Sequence, residues 1–171
     1  MKDKQTSKDK QIALALFSGL GAMLAIGGLG YTQQLVTEGS ALAFGKFNSS
    51  EIMLLMAAFG ASAVLVFGVP ESPLAQPRNV IFGHLLTASI GLIFVQLELV
   101  NTATLALATG LAVSGMLLTK TTHPPAGANP LFIMLTGQSW SFLVTPVLLG
   151  ALAIVLLGKL MLLIRKRYLV S

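Results

Sequence analysis

The sequence has no cysteine among its 171 residues, and only 10% of its residues are charged. The lack of cysteine excludes a secreted disulfide scaffold. Soluble domains carry about 25% charged residues, and the much smaller share of charged residues in this sequence argues against a water-soluble domain. The apolar share of 54% and the mean hydropathy of +0.82 exclude a disordered chain and a coiled coil. These values predict an all-α integral membrane protein with a single domain.

The net charge of +5 comes from the two ends of the chain. Residues 1–10 carry +2 and residues 159–171 carry +4, while the interior carries −1. Terminal bases of this kind suit lipid headgroups. A nucleic-acid partner needs basic residues interleaved with exposed aromatics along one face, and that arrangement is absent from the sequence. The pattern therefore predicts a lipid bilayer as partner and no nucleic acid.

Five stretches are apolar and long enough to cross a bilayer, whose core of about 30 Å needs about 20 helical residues. They are residues 12–36, 52–69, 80–97, 102–118 and 142–164. Small residues are frequent in them, and small residues let helices pack closely in lipid. We expect a small bundle of about five transmembrane helices in residues 12–164, between basic tails at 1–11 and 165–171. The expected location is the inner (plasma) membrane, with several passes.

Six of the seven prolines lie in two connections between the spans, at residues 70–79 and 119–130. A short apolar run at 131–135 follows the second connection and ends at Thr136 and Gly137. At 1.5 Å per residue, this run covers about half of a bilayer. It predicts a re-entrant segment at residues 127–137. An amphipathic stub at the membrane surface is the alternative.

The two Pro-rich connections lie about 50 residues apart, and each stands between two apolar stretches. This arrangement is typical of a parallel internal repeat, and chance similarity is the alternative. Five spans would place the two basic tails on opposite sides of the membrane. With six bases on one side and five on the other, the distribution of charge does not decide the orientation.

The chemistry available in the sequence is limited. The two histidines are His84 and His123, and they have no carboxylates near them in sequence to complete a metal site. The sequence shows no nucleophile, base and orienter set and no phosphate-binding glycine loop followed by Lys-Ser/Thr. We therefore predict no enzyme activity, no cofactor and no metal.

The Pro-rich connections do combine several features of an anion site. Ionisable groups are costly to bury in a bilayer and usually face a pathway or a partner. Helix N-termini, here expected near Asn79 and Pro130, offer free amides that bind anions. The candidate binding residues are Arg78, Asn79, His84, Lys120, His123, Pro124, Pro125, Gly127 and Asn129.

Each of these residues also has a structural interpretation. Arg78 and Lys120 are also placed to reach lipid phosphates. Glu71 is a possible ion-pair partner that would cancel the charge of Arg78. The imidazole of His84 is equally suited to a hydrogen bond between helices, and the two asparagines are suited to cap helices.

The motifs resemble the HPP family of integral membrane proteins. The resemblance lies in PESPLAQPRN at 70–79, in Gly83-His84 and in HPPAGA at 123–128, and it extends over about residues 15–160. The family is associated with nitrite transport in cyanobacteria and chloroplasts, so the resemblance implies a transporter or channel for a small monovalent anion, with nitrite as the candidate. Family descriptions give four spans, and Asn129-Pro130 stands where many relatives have Thr-Ala.

The functional expectations are therefore ordered. The first is a homo-oligomeric anion transporter or channel in which the histidines gate by protonation. The second is a structural or regulatory membrane subunit that docks a partner through the Pro-rich loops. The third is a membrane enzyme that uses the two histidines and holds a metal. The sequence leaves open which anion is carried and whether its passage is coupled to protons.

Overall fold

The computed structural model describes the backbone of residues 2–41 and 57–168 and the side chains of residues 8–31 and 57–167. Within these residues all regular structure is helical, which confirms the predicted all-α membrane class. The first part of the predicted second span, residues 52–56, lies outside the described residues. Three stretches are long and apolar enough to cross a membrane: Lys8–Tyr31, Pro77–Gln96 and Leu143–Arg167.

Six helices make up the described part of the chain. They are α1 (Lys2–Ala41), α2 (Ala57–Gly68), α3 (Pro77–Gln96), α4 (Thr102–Leu118), α5 (Asn129–Thr136) and α6 (Leu149–Tyr168). Wider π-helical turns end α2 at Val64–Gly68 and precede α6 at Leu143–Leu148. Each Pro-rich connection contains a short 3-10 turn, Pro73–Ala75 in the first loop and Pro124–Ala128 in the second loop.

The helix ends follow from local sequence. Pro77 opens α3, where its missing N–H costs nothing. Asn101 caps α4, since its side chain accepts from the Thr104 amide at 3.1 Å and Thr104 Oγ1 accepts from the Asn101 amide at 2.9 Å. Gly137 ends α5 in the left-handed conformation with φ of 66°, which glycine adopts without strain.

Helix α3 packs against the second loop and α5 at close range. A Cβ at Gly83 would lie 2.9 Å from the Thr121 carbonyl oxygen. A Cβ at Gly91 would lie 2.9 Å from the Cα of Pro130. Since both contacts are to backbone, larger residues would force the segment 121–133 away from α3. The small residues of this span therefore permit the close packing that the sequence predicted.

The second loop and α5 together cross the bundle beside α3. His123 lies against Gly83 near the start of α3, Pro130 lies against Gly91, and the Trp140 Nε1 donates to Gln96 Oε1 at 3.1 Å at the end of α3. The half-helix that the sequence predicted is present as α5. It does not turn back to the side from which it came, because the chain continues to the far end of α3. Residues 119–140 thus form a broken crossing rather than a re-entrant loop.

This broken crossing changes the predicted topology. After it, α6 returns to the two Pro-rich loops, where the Arg165 guanidinium lies 3.7 Å from a Glu71 carboxylate oxygen. Phe17 and Ser18 of α1 line a small cavity with Pro70 and Arg165, so α1 begins at the same end. The prediction that the basic tails lie on opposite sides is wrong, because residues 119–140 add a sixth crossing.

The basic side chains of the described residues therefore lie at one end of the bundle, which we call the basic end. The bases placed there are Lys8, Lys10, Arg78, Lys120, Lys159, Arg165, Lys166 and Arg167. Both Pro-rich loops lie at this end, as the repeat interpretation requires, although α3 has 20 residues and α5 only 8. Lys46, the remaining interior base, lies outside the described residues.

Candidate functional site

Two histidines from different elements meet at one serine hydroxyl in the interior of the bundle. Ser62 Oγ of α2 lies 2.9 Å from Nε2 of His84 on α3 and 2.8 Å from Nε2 of His123 in the second loop. The two imidazole centroids are 5.1 Å apart. Ser62 and His123 are 0% exposed and His84 is 1% exposed. A single hydroxyl thus links three separate parts of the chain.

The outer nitrogens of both rings are also engaged. Asn129 Nδ2 lies 3.0 Å from His84 Nδ1, and it also donates to the His84 carbonyl oxygen at 3.2 Å and to Thr87 Oγ1 at 3.0 Å. His123 Nδ1 lies 2.8 Å from the Leu74 carbonyl oxygen in the first loop. We call the side chains of Ser62, His84, Thr87, His123 and Asn129 the buried polar cluster, since all of them are buried.

The partners of the cluster determine which ring nitrogens carry hydrogen. A carbonyl only accepts, so His123 Nδ1 carries the hydrogen toward Leu74 and its Nε2 is an acceptor. Asn129 must present its amide nitrogen, because that nitrogen faces three acceptors, His84 Nδ1, the His84 carbonyl oxygen and Thr87 Oγ1, which share its two hydrogens. His84 Nδ1 is therefore an acceptor and its Nε2 donates to Ser62. Both imidazoles are neutral.

These assignments give a chain of hydrogen bonds that runs in one direction. Asn129 donates to His84, His84 donates to Ser62, Ser62 donates to His123, and His123 donates to the Leu74 carbonyl oxygen. The Ala58 carbonyl oxygen, 3.2 Å from Ser62 Oγ, is a second acceptor for the serine hydroxyl. Rotation of one hydroxyl is therefore enough to break and restore the chain.

Asn79 and Arg78, at the start of α3, bind the backbone of the second loop. Asn79 Nδ2 donates to the Thr122 carbonyl oxygen at 2.9 Å, and Arg78 Nη2 donates to the Thr119 carbonyl oxygen at 3.1 Å. Neither Asn79 nor Asn129 caps its own helix, since both side chains bridge to another element. The two asparagines thus fix the second loop against α3 at two levels.

Arg78 does not face the buried polar cluster. Thr87 follows it by nine residues, which at 100° per residue places the two side chains about 180° apart around α3. Arg78 instead shares an open groove with Phe82 on the surface of the bundle. Glu71 pairs with Arg165, so the alternative in which Glu71 neutralises Arg78 is wrong.

The remaining candidates from the sequence lie near the surface of the second loop. Lys120 is exposed and has a left-handed backbone with φ of 55°. Pro124 is exposed, while Pro125 and Gly127 are half-buried beneath it. The structure therefore brings His84, His123 and Asn129 together in the interior and leaves the two cations outside it. These are two places, whereas the sequence predicted one shared vestibule.

Sequence reasoning missed Ser62, Thr87 and the Leu74 carbonyl oxygen. Thr87 had a local signal, because it follows His84 by three residues and so shares its helix face. No local pattern in the sequence pointed to Ser62, because its partners lie 22 and 61 positions away in the chain.

The geometry favours proton relay within the cluster. Ser62 and His123 have the spacing of a nucleophile and its base, with the Leu74 carbonyl oxygen orienting the imidazole. However, Ser62 Oγ is sealed from water, and every polar atom around it already has a partner. Among the side chains described, no three metal-ligating groups lie together. The cluster is a closed chain of donors and acceptors between two imidazoles, and proton relay along such a chain needs neither a nucleophile nor a metal.

Known proteins resemble this chain over most of its length. The family described as "HPP, transmembrane region" matches residues 7–169. One transmembrane protein of Dictyostelium discoideum is 45% identical over 114 residues, which cover 62% of this chain and 37% of that protein. A second from the same organism is 42% identical over 116 residues, which cover 63% of this chain and 40% of the relative.

The matched stretch spans less than half the length of either relative. No solved structure matches the chain. The motifs at the two Pro-rich loops coincide with the elements that build the buried polar cluster: Leu74 lies in the first loop and His84 follows it on α3, while His123 and Asn129 flank the turn Pro124–Ala128 of the second loop. Because the family match covers all but the extreme ends of the sequence, this chain belongs to the HPP family of integral membrane proteins.

Proposed function

We propose that the protein transports a small monovalent anion across the membrane together with a proton, and that nitrite is the candidate anion. The observation that carries the proposal is the one-way hydrogen-bond chain through His84, Ser62 and His123. Placing ionisable groups within a bilayer costs on the order of a few kcal/mol, so such groups usually serve a pathway. The choice of nitrite rests on the resemblance to the family.

His123 is the residue best placed to receive the proton. When its Nε2 becomes protonated, that nitrogen donates to Ser62 Oγ, and the serine hydroxyl turns to the Ala58 carbonyl oxygen 3.2 Å away. Every donor then still has an acceptor. Protonation of His84 instead places an N–H against the amide nitrogen of Asn129, which has no acceptor to offer.

The protonated imidazole supplies the reason for anion coupling. A buried cation without a counter-ion is costly, and a monovalent anion beside it removes the net charge. The anion also loses its water, and backbone amides around Gly127–Asn129 would replace it only after the turn opens, because the Asn129 amide donates to the Ala126 carbonyl oxygen in the described conformation. In this proposal Arg78 and Lys120 act only through the positive potential of the basic end.

The described conformation is a closed state in this scheme. The anion reaches the cluster when the second loop separates from α2 and α3, and three of the contacts that hold that loop in place are Asn79 to Thr122, His123 to Ser62 and Asn129 to His84. Broken helices at a binding site are a recurring design in transporters that open alternately to two sides. Protonation of His123 reverses the direction of its hydrogen bond with Ser62, and this change in one of the three contacts would link opening to coupling.

The positions of the bases also support an orientation. Cytoplasmic loops of membrane proteins carry an excess of Lys and Arg. Since both Pro-rich loops and the two ends of the chain share the basic end, we infer that this end faces the cytoplasm. Transport of the proton and the anion then begins or ends at the Pro-rich loops.

The test is flux of nitrite into proteoliposomes at neutral pH. The variants Ser62→Ala and His123→Gln each break the chain, and Ser114→Ala, at an exposed site on α4, is the matched control. We expect at least about a tenfold loss of flux in the first two, because each variant removes a group of the hydrogen-bond chain between His84 and His123. The control should transport as the wild type does. Normal flux in folded Ser62→Ala and His123→Gln would refute the proposal.

Docking of a partner protein is the second candidate, and the exposure of Pro73, Gln76 and Pro124 at one end favours it. It predicts no flux from the purified protein. It also predicts a co-purifying partner that substitutions in these loops release.

A further inference from the structure

An open groove of about 440 Å³ lies between α3 and the end of α4 on the surface of the bundle. Its lining residues are Arg78, Phe82, Leu85, Leu86, Ser89, Thr119 and Thr121. The groove begins at the basic end and descends along α3. It lies on the face of α3 opposite the buried polar cluster, so the proposed transport does not use it.

The mouth of the groove carries positive charge without a counter-ion. One guanidinium nitrogen of Arg78 donates to the Thr119 carbonyl oxygen, which leaves the remaining donors of its fork free to bind. No carboxylate among the described residues pairs with Arg78, since Glu71 pairs with Arg165. Lys120 does not line the groove, but it is exposed and follows Thr119 in the chain, so it adds a second cation at the basic end.

The wall of the groove matches a lipid chain in length and character. Phe82, Leu85, Leu86 and Ser89 lie on successive turns of α3 below Arg78. From Arg78 to Ser89 the helix rises about 16 Å, which is about half of the 30 Å hydrocarbon core. The groove is thus polar and cationic at headgroup depth and mainly apolar over the depth of one leaflet.

We propose that this groove binds one anionic phospholipid from the leaflet at the basic end. The phosphate lies on Arg78 and Lys120, where a bidentate guanidinium contact suits phosphate geometry. One acyl chain lies along Phe82, Leu85 and Ser89. A free phosphate would use only the mouth, and a second copy of the chain would leave the two cations without a counter-ion.

Binding at this site also affects the second loop. Arg78 holds the Thr119 carbonyl oxygen, four residues before His123. A phosphate that fixes the guanidinium therefore steadies the loop that carries His123. The lipid would stabilise the closed arrangement of the second loop against α3 whatever the transported substrate is.

The test is native mass spectrometry of the purified full chain after exchange into mixed micelles of phosphatidylglycerol and phosphatidylcholine. Wild type should retain one phosphatidylglycerol in preference to phosphatidylcholine. Arg78→Gln should lower this preference about fivefold, the effect of one charge near the headgroups. Arg78→Lys, which keeps the charge, should restore most of it.

Two further variants separate the groove from general charge. Lys166→Gln removes a base at the same end but outside the groove, and it should keep the preference. Ser89→Phe fills the deep part of the groove, and it should reduce retention of the lipid although Arg78 is intact.

Three results would overturn the proposal. These are equal retention of the two lipids by wild type, equal losses in Arg78→Gln and Lys166→Gln, and displacement of the lipid by glycerol phosphate, which has the headgroup chemistry without acyl chains. A dimer that appears in place of the lipid-bound monomer would assign the groove to a second copy. None of these readouts depends on transport.

Discussion

Ser62 Oγ lies 2.8 Å from Nε2 of His123, although the two residues are 61 positions apart in the chain. One belongs to an apolar helix and the other to the Pro-rich loop that interrupts a crossing. Their contact exists only because α3 brings Gly83 against the second loop and leaves no room for a side chain there. The chemistry of the cluster therefore depends on the close packing of α3.

The two histidines should occupy opposite neutral tautomers. We expect hydrogen on Nε2 of His84 and on Nδ1 of His123, because Asn129 donates to the first ring and the Leu74 carbonyl oxygen accepts from the second. Nitrogen-15 NMR of the imidazoles at neutral pH distinguishes the two forms. Two Nε2–H rings would contradict the one-way chain.

Asn129→Asp extends this measurement. A carboxylate accepts hydrogen bonds only, so it should draw a proton onto His84 Nδ1 and change the signals of that ring. The contact of His123 with Leu74 is untouched, so its Nδ1 signal should remain. A spectrum in which neither ring responds would show that Asn129 does not set the tautomer.

Alanine at Gly83 or Gly91 should destabilise the protein by about 1–3 kcal/mol, the usual cost of inserting atoms into a packed interior. The new Cβ would lie 2.9 Å from the backbone of the second loop or of Pro130. Gly110→Ala on α4 is the control, since nothing lies within 4 Å of its Cβ position. Thermal unfolding in detergent measures all three.

The stability of the control Gly110→Ala should equal that of the wild type or exceed it by up to about 1 kcal/mol, because alanine favours the helical conformation more than glycine does. If Gly91→Ala unfolds at the same temperature as Gly110→Ala, the close packing of α3 on α5 does not limit the size of the side chain at position 91.

Both ends of the chain should lie on the same side of the membrane. The natural sequence has no cysteine, so single cysteines can be introduced without background. A thiol reagent that does not cross membranes should label Lys10→Cys and Lys166→Cys from the cytoplasmic side and Asn101→Cys from the other side. Labelling of Lys10→Cys and Lys166→Cys from opposite sides would restore the topology with five crossings.

The sequence was sufficient for the membrane class and for α3 and α4, and it singled out His84, His123 and Asn129, which the structure brings together. Hydrophobic length and Pro-rich motifs are local properties, and they determine those features. The direction of the chain after Gly137 is not determined by the local sequence, because it depends on the contact between Trp140 and Gln96, which are 44 positions apart. For that reason the sixth crossing and the common side of the tails emerged only from the structure.

The location of Arg78 was unpredictable for a related reason. In the sequence, Arg78 stands close to the motifs that contain the two histidines. The rotation along α3 nevertheless places its side chain on the surface of the bundle. A motif records which residues are present near a site, and the helix period decides which of them face it.

Simultaneous recording of proton and nitrite uptake by proteoliposomes shows whether the protein couples the movement of the two. Liposomes without protein correct for passive entry of nitrous acid. We expect one proton to be taken up with each nitrite by the wild type, both signals to be lost in Ser62→Ala, and no change in Ser114→Ala. Nitrite uptake without proton uptake, or equal uptake by wild type and Ser62→Ala, would contradict this expectation.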